Sequence, residues 1–184
     1  MATVRPPRVE LVQLSGETLR ALADGDLAAA EAGAPVPLSD YLAGPECRSV
    51  WEIRAVQVVV DPPSAGWITR VVWDPDRQLA VGRAGFHGPP DERGMVEVGY
   101  GIDPAHRRRG YAGAALGAML QRVAAEPDVT VVRAAVSPEN TASLRVVRRH
   151  GFVPVGEQID EVDGLAIVHE LRVRNRGHDG GPRG

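Results

Sequence analysis

The stretch Met95–Val123 limits the possible folds more than any other part of the chain. It reads MVEVGYGIDPAHRRRGYAGAALGAMLQRV. Val96, Val98, Tyr100 and Ile102 alternate as strand residues do, and Asp103-Pro104 turns the chain. Leu116, Met119, Leu120 and Val123 then recur at helical spacing, and Pro127 ends that helix. A strand therefore runs through three arginines and Gly110 into a helix whose first turn holds Ala112, Gly113 and Ala114. The free N–H groups at such a helix start carry a partial positive charge of ~0.5 and bind phosphate readily. Gly110 permits close approach of a ligand, and Arg107 and Arg109 add charge at the rim. The junction suits a pyrophosphate. Gly99 and Gly101 interrupt the strand, and glycine inside a strand marks a bulge or a backbone that a ligand approaches. Glu97 shares their face if no bulge intervenes.

The remaining chain supplies a sheet and its covering helices. Val9–Leu14 has the composition of a short strand, and Ser15 can cap a helix to about Ala23, with Glu17 in its first turn. The Ala/Gly/Pro-rich stretch to Gly44 is ambiguous. Residues 46–60 fit helix or strand, because VQVVV has β composition; helix to about Val58 is favoured. Trp67–Trp73, Leu79–His87 and Met95–Ile102 read as an antiparallel meander, with turns at Asp61-Pro62-Pro63 and Asp74-Pro75-Asp76. Val129–Val136, nearly all apolar, is expected to be a strand buried on both faces. Asn140–His150 is a short helix stopped by Gly151. Phe152–Gln158 and Leu165–Val173 make a closing hairpin around Val162-Asp163-Gly164. The fold class is α+β, a mixed sheet with helices on both faces. One domain is expected, with no internal repeat.

Bulk numbers exclude several classes. A length of 184 residues and a charged fraction of 24% are ordinary for one globular domain. The net charge of −3 disfavours nucleic acid as a partner. All 21 basic side chains are arginine, which reads as a codon-bias imprint of a GC-rich genome. Cys47 is the single cysteine, so no disulfide framework can form within the chain, and packing is favoured over a catalytic thiol. The opening MATVRPPRVE has no apolar core segment of a signal peptide, and no apolar run reaches the ~18–20 residues of a membrane helix. A cytoplasmic protein is expected. His87, His106, His150, His169 and His178 show no metal-ligand spacing, so no metal is expected.

Arg107-x-x-Gly110-x-Ala112 resembles the acetyl-CoA signature Q/R-x-x-G-x-G/A of the GNAT N-acetyltransferase superfamily. VEVGYGIDP is similar to the strand ahead of that signature, and RRGYAGAAL to the helix start of the RimJ/RimL-like branch. VSPENTASLRVVRRHGF resembles the second motif, N-x-x-S followed by GF. The resemblance covers about residues 8–173, leaving 1–7 and 174–184 as tails expected to be disordered. It implies a mostly antiparallel sheet of six or seven strands, splayed at the centre beside the bulged strand. Acetyl-CoA would pair its pantetheine with the backbone of Tyr100, Gly101 and Ile102. Its pyrophosphate would meet the cradle of Arg107, Arg108, Arg109, Gly110, Tyr111, Ala112 and Gly113, and Asn140 and Ser143 would face the pantetheine and thiol end.

The implied activity is direct acetyl transfer to a primary amine. The acceptor would be a protein N-terminus, an amino acid or another small amine, with an aminoglycoside as a lesser alternative. Glu97 is the candidate general base, against a plain strand glutamate paired with an arginine. A backbone N–H near Gly99 or Tyr100 could polarise the carbonyl. Many relatives place a tyrosine, the thiolate acid, where this chain has Val147. Ser143 is the substitute, against simple capping or CoA contact. A catalytically silent acyl-CoA-binding module is therefore the rival reading. Nucleotide or RNA binding through Arg107–Arg109 fits poorly, since no Walker-type Gly-Lys-Ser/Thr is present. A monomer or a homodimer is expected. Trp51, Trp67 and Trp73 read as core rather than acceptor pocket. Asp91 and Glu92 read as a solvated hairpin tip, and Arg145, Arg148 and Arg149 as a solvated helix face. His106 is placed beside the cradle.

Overall fold

The computed structural model describes residues 6–160 and 164–173. Seven strands, β1 (Glu10–Val12), β2 (Arg70–Asp74), β3 (Leu79–Phe86), β4 (Met95–Ile102), β5 (Val131–Val136), β6 (Val153–Asp160) and β7 (Gly164–Arg172), pair in the order β1-β2-β3-β4-β5-β7-β6. Five helices accompany them: α1 (Gly16–Ala23), α2 (Leu27–Gly33), α3 (Pro45–Val60), α4 (Tyr111–Val123) and α5 (Thr141–Arg149). The result is the mostly antiparallel α+β sheet that the pattern implies. Contacts divide the described residues into two units, one of residues 6–89 and 99–118, the other of 90–98, 119–160 and 164–173.

In the first unit β2 pairs antiparallel with β1 and with β3, and the second register slips between Val72 and Trp73. β3 runs so close to the end of β4 that a Cβ on Gly82 would strike the carbonyl oxygen of Gly101. Ser15 caps α1 by accepting from the Thr18 amide at 3.1 Å, and Asp26 caps α2 by accepting from Ala29 at 3.0 Å. α1 buries Thr18, Leu19, Leu22 and Ala23, a single face at helical spacing. α3 buries Cys47, Trp51, Arg54 and Ala55 yet exposes Ile53, Val56, Val59 and Val60. Apolar residues on both sides explain why its sequence reads as helix or strand. Leu19, Leu22, Leu42, Cys47 and Trp51 join Ile68, Val71 and Trp73 in one core cluster. The Trp51 indole N–H also donates to the Leu42 carbonyl at 2.7 Å.

The second unit holds the start of β4 parallel to β5 over Met95–Glu97 and Val131–Arg133, with β7 antiparallel to both β5 and β6. Asn140 caps α5 by accepting from the Ser143 amide at 3.0 Å, and Gly151 follows the helix at φ 86°.

Two expectations need correction, and one open stretch is resolved. β5 is not buried on both faces: Val132, Ala134 and Val136 are buried, while Val131, Arg133 and Ala135 alternate as half-buried. Arg133 needs that partly open face to reach Glu170 at 2.7 Å. The strand expected from Trp67 starts only at Arg70, because Pro62–Gly66 forms a 3-10 turn with Trp67 at its end. Helix in the ambiguous stretch is confined to α2, and the residues after Ala34 run on without it to α3. Residues 161–163 of the expected hairpin turn lie outside the described residues.

Trp51→Ala is expected to cost about 3–5 kcal/mol, because it empties a fully buried site and orphans the Leu42 carbonyl. Urea unfolding followed by circular dichroism measures it.

Candidate active site

In the first unit β4 ends at Ile102, and Asp103 turns the chain by accepting from the Ala105 amide at 2.8 Å while its own amide donates to Val81 at 3.0 Å. Arg107 folds back so that its Nε donates to the Ile102 carbonyl at 3.0 Å. Arg108 then adopts φ 63° and Gly110 φ 86°. A left-handed arginine is uncommon and is held only where its surroundings impose it. A Cβ on Gly110 would stand 3.2 Å from Cδ of Pro7, so glycine keeps this position open. α4 begins at Tyr111, and its first hydrogen bond runs from the Ala114 amide to the Gly110 carbonyl at 3.0 Å. The amides of Tyr111, Ala112 and Gly113 precede that bond and are the ones a helix start leaves without an internal acceptor. Arg107, Arg108 and Arg109 are all exposed beside them. The arrangement can cradle an anion as large as a pyrophosphate.

One buried carboxylate fixes this helix start. The Tyr111 hydroxyl donates to Oδ2 of Asp74 at 2.6 Å, and both side chains are buried. Asp74 also accepts from the amides of Asp76 and Arg77 at 3.0 and 2.9 Å, and Nη1 of Arg77 lies 3.0 Å from Oδ2. Burial pushes the Asp74 carboxyl up, but the Tyr111 hydroxyl and the Arg77 amide and guanidinium together hold it below the usual carboxylate range. Burial and the facing carboxylate push the Tyr111 hydroxyl up, so it remains a donor. Tyr111 thus offers the cradle its amide, while its side chain serves as an anchor. His106 packs edge-on against Tyr111 at 6.4 Å, and its Nδ1 is buried without a hydrogen-bond partner among the described residues. The sequence marks Asp74 as a turn residue and no more.

The second unit carries the other candidates. Glu97 is half-buried on β4 with Arg133 opposite in register, and that guanidinium binds Glu170. Asn140 is exposed and its Oδ1 is engaged as the α5 cap; Ser143 is half-buried. Val147 is fully buried, so the place of the relatives' tyrosine is closed to solvent.

Trp51 and Trp73 are core residues, as is Cys47. Oδ1 of Asp91 accepts from the amides of Arg93 and Met95, each at 2.9 Å, which makes it the organiser of its turn. Arg145, Arg148 and Arg149 are exposed. No group of three or more metal-ligating side chains occurs among the described residues, and no helix among them is long and apolar enough to cross a membrane.

This frame has known counterparts. The model of the acetyltransferase (GNAT) domain matches residues 18–153, and the chain belongs to that family, whose members use acetyl-CoA. An uncharacterized N-acetyltransferase of Bacillus subtilis (strain 168), YjdG, is 30% identical over 88 residues, which are 48% of this chain and 52% of that one. The chain thus spans about half the length of the curated relative it matches. Among solved structures, the ribosomal L7/L12 α-N-protein acetyltransferase RimL in complex with coenzyme A superposes with a TM-score of 0.62 at 16% identity, covering 92% of this chain and 96% of that one. The ribosomal-protein-S5-alanine acetyltransferase of Vibrio fischeri gives 0.60 at 18% identity, covering 95% and 94%. At these identities the likeness is one of fold, and the neighbours include the RimJ/RimL-like proteins that the helix-start motif resembles.

The depressed Asp74 carboxyl makes stability depend on pH with a definite sign. Its contribution is complete above the unfolded value of about 3.9 and is lost as pH falls through the lower folded value. Asp74→Asn is therefore expected to be less stable than wild type by about 1.5–3 kcal/mol at pH 7, with the gap closing below about pH 4. Urea unfolding of both proteins from pH 7 to pH 3 checks it.

Proposed function

We propose that this chain transfers an acetyl group from acetyl-CoA directly to a primary amine. The observation that carries the reading is the anchored helix start, three leading amides behind exposed arginines, in a chain of the GNAT family. Gly110 supports the fit, since it takes a left-handed φ of 86° with Pro7 packed 3.2 Å from where a Cβ would stand, a position that disfavours any side chain beside the leading amides. In this reading the amides from Arg108 to Gly113 hold the pyrophosphate, with Arg107 and Arg109 at the rim. The backbone of Tyr100, Gly101 and Ile102 pairs with the pantetheine, and Asn140 and Ser143 contact its thiol end. The amine nitrogen attacks the thioester carbonyl, the new C–N bond forms as the C–S bond breaks, and the departing thiolate takes up a proton. Glu97 accepts the proton of the amine through a water. Ser143 or a water protonates the thiolate, because Val147 has no proton to give. Acceptors in keeping with the RimJ/RimL-like resemblance are a protein N-terminus, an amino acid or another small amine.

The buried Val147 also favours a second reading, a silent acyl-CoA-binding module. The two separate on turnover. Calorimetry is expected to give micromolar acetyl-CoA binding by wild type and none by Gly110→Glu, which sets a carboxylate in the cradle. No binding by folded wild type would end both readings. Glu97→Gln should lower kcat by about 10²–10⁴-fold with acetyl-CoA affinity unchanged, read by thiol release. Binding without release of thiol on any amine would select the silent module.

A further inference from the structure

Three arginines of the first unit, Arg54, Arg83 and Arg107, stand without a carboxylate partner among the described residues. Arg54 on α3 is buried, and its hydrogen-bond partners among the described residues are neutral: Thr69 Oγ1 at 3.2 Å, Gln57 Oε1 at 2.7 Å and the His87 carbonyl at 3.1 Å. Arg83 on β3 is near enough to depress the Arg54 guanidinium, which burial depresses most. Nε of Arg83 is buried with no hydrogen-bond partner among the described residues. Arg107 spends its Nε on the Ile102 carbonyl. Among the described residues no carboxylate forms an ion pair with any of these three.

Arg83 meets Tyr41 at one point on β4. Where a Cβ on Gly101 would stand, Tyr41 Oη lies at 3.2 Å, Arg83 Cζ at 3.5 Å and Arg83 Nη2 at 3.6 Å. Two positions earlier, the same point on Gly99 lies 3.0 Å from His87 Nε2. Glycine here lets a guanidinium and a phenol draw close to the β4 backbone and to each other. Burial above all pushes the Tyr41 hydroxyl up to about 12, with Cys47 adding to the rise and Arg83 and Arg107 opposing it. It is therefore a neutral donor at any physiological pH. Like charges brought together in a partly dry place raise each other's energy, and an oxyanion placed among them relieves it. A guanidinium fork beside a hydroxyl donor matches a carboxylate.

We infer that Arg83 and Tyr41, backed by the charge of Arg54, receive a carboxylate carried by the amine acceptor, so that the substrate class is a carboxylate-bearing amine such as a free α-amino acid. The inference rests on the acetyltransferase reading and narrows its acceptor. Polyamines and aminoglycosides, being polycations, are repelled by the same cluster. The other source of an oxyanion is a phosphate of the cosubstrate, and the experiment separates the two.

Wild type, Arg83→Gln and Arg83→Lys, saturated with acetyl-CoA, are assayed for thiol release with free L-amino acids, the matching amino-acid amides and spermidine. Free acids are expected to exceed their amides at least tenfold in kcat/KM. Arg83→Gln should raise KM for the acids by about 10–100-fold, as loss of a hydrogen bond to a charged group does. It should leave acetyl-CoA affinity by calorimetry, and KM for the amides, unchanged. Arg83→Lys, which keeps the charge without the fork, should fall between. Preference for amides or spermidine would overturn the inference. So would weakened acetyl-CoA binding in Arg83→Gln with KM for the acids unmoved, because the anion would then be a cosubstrate phosphate. If no amine turns over, thermal midpoints decide: free acids must stabilise wild type more than amides do, and Arg83→Gln equally little with either. Failure of the acetyltransferase reading itself shows separately, as absence of acetyl-CoA binding.

Discussion

The hydrogen bond from Tyr111 to Asp74 is the constraint on which the candidate site depends. It ties the first residue of α4 to the last residue of β2, 37 positions apart in sequence. A register slip between Val72 and Trp73 immediately precedes Asp74, and two amides of the following turn close on the same carboxylate. Desolvating that charge is costly, and only a full set of donors makes it favourable. Once the helix start is held, the chain between β4 and α4 has little freedom. Arg108 must take a left-handed conformation, Gly110 another, and the leading amides of α4 are held in place. Rigidity matters here because a cradle of backbone amides binds an anion well only when the amides need no reorganisation.

The arginines divide by partnership, and the division has functional meaning. Arg77 meets Asp74, Arg133 meets Glu170, and Arg8 meets Glu10. Arg133 and Arg77 brace the structure by linking strands or closing a turn. Among the described residues Arg54 and Arg107 hold neutral oxygens and Nε of Arg83 has no hydrogen-bond partner, all within one unit, with Arg83 close against Gly101. Net charge hides this contrast. A chain with a formal charge of −3 still gathers, in one unit, arginines that no carboxylate among the described residues pairs with.

What the sequence made legible was local. The β4-turn-α4 junction could be read because alternation, an Asp-Pro turn, a glycine and a helical repeat lie within thirty residues of one another, and each is decided by its neighbours. β3, β4 and α5 follow the same logic. α3 resisted because Ile53, Val56, Val59 and Val60 are apolar yet exposed, so hydrophobicity around the helix carries no period. β5 looked two-sided because Val131 and Ala135 are apolar on a half-open face, and only Arg133 marks that face as open. The role of Asp74 was invisible, since its partner lies across the fold. The same holds for Arg83 and Tyr41, whose meeting at Gly101 depends on β3, β4 and the segment before α3 coming together. Glu97, Asn140 and Ser143 are candidates by motif alone, and the structure engages Asn140 as a helix cap.

The leading amides of α4 are the groups on which cosubstrate binding turns. Residue-resolved hydrogen exchange of the whole protein, with and without saturating acetyl-CoA, tests this most directly. Exchange at Tyr111, Ala112 and Gly113 is predicted to slow strongly when acetyl-CoA binds, with Arg108 and Gly110 following. Tight binding of acetyl-CoA with exchange at these amides unchanged would contradict the account and move the cofactor site elsewhere in the chain.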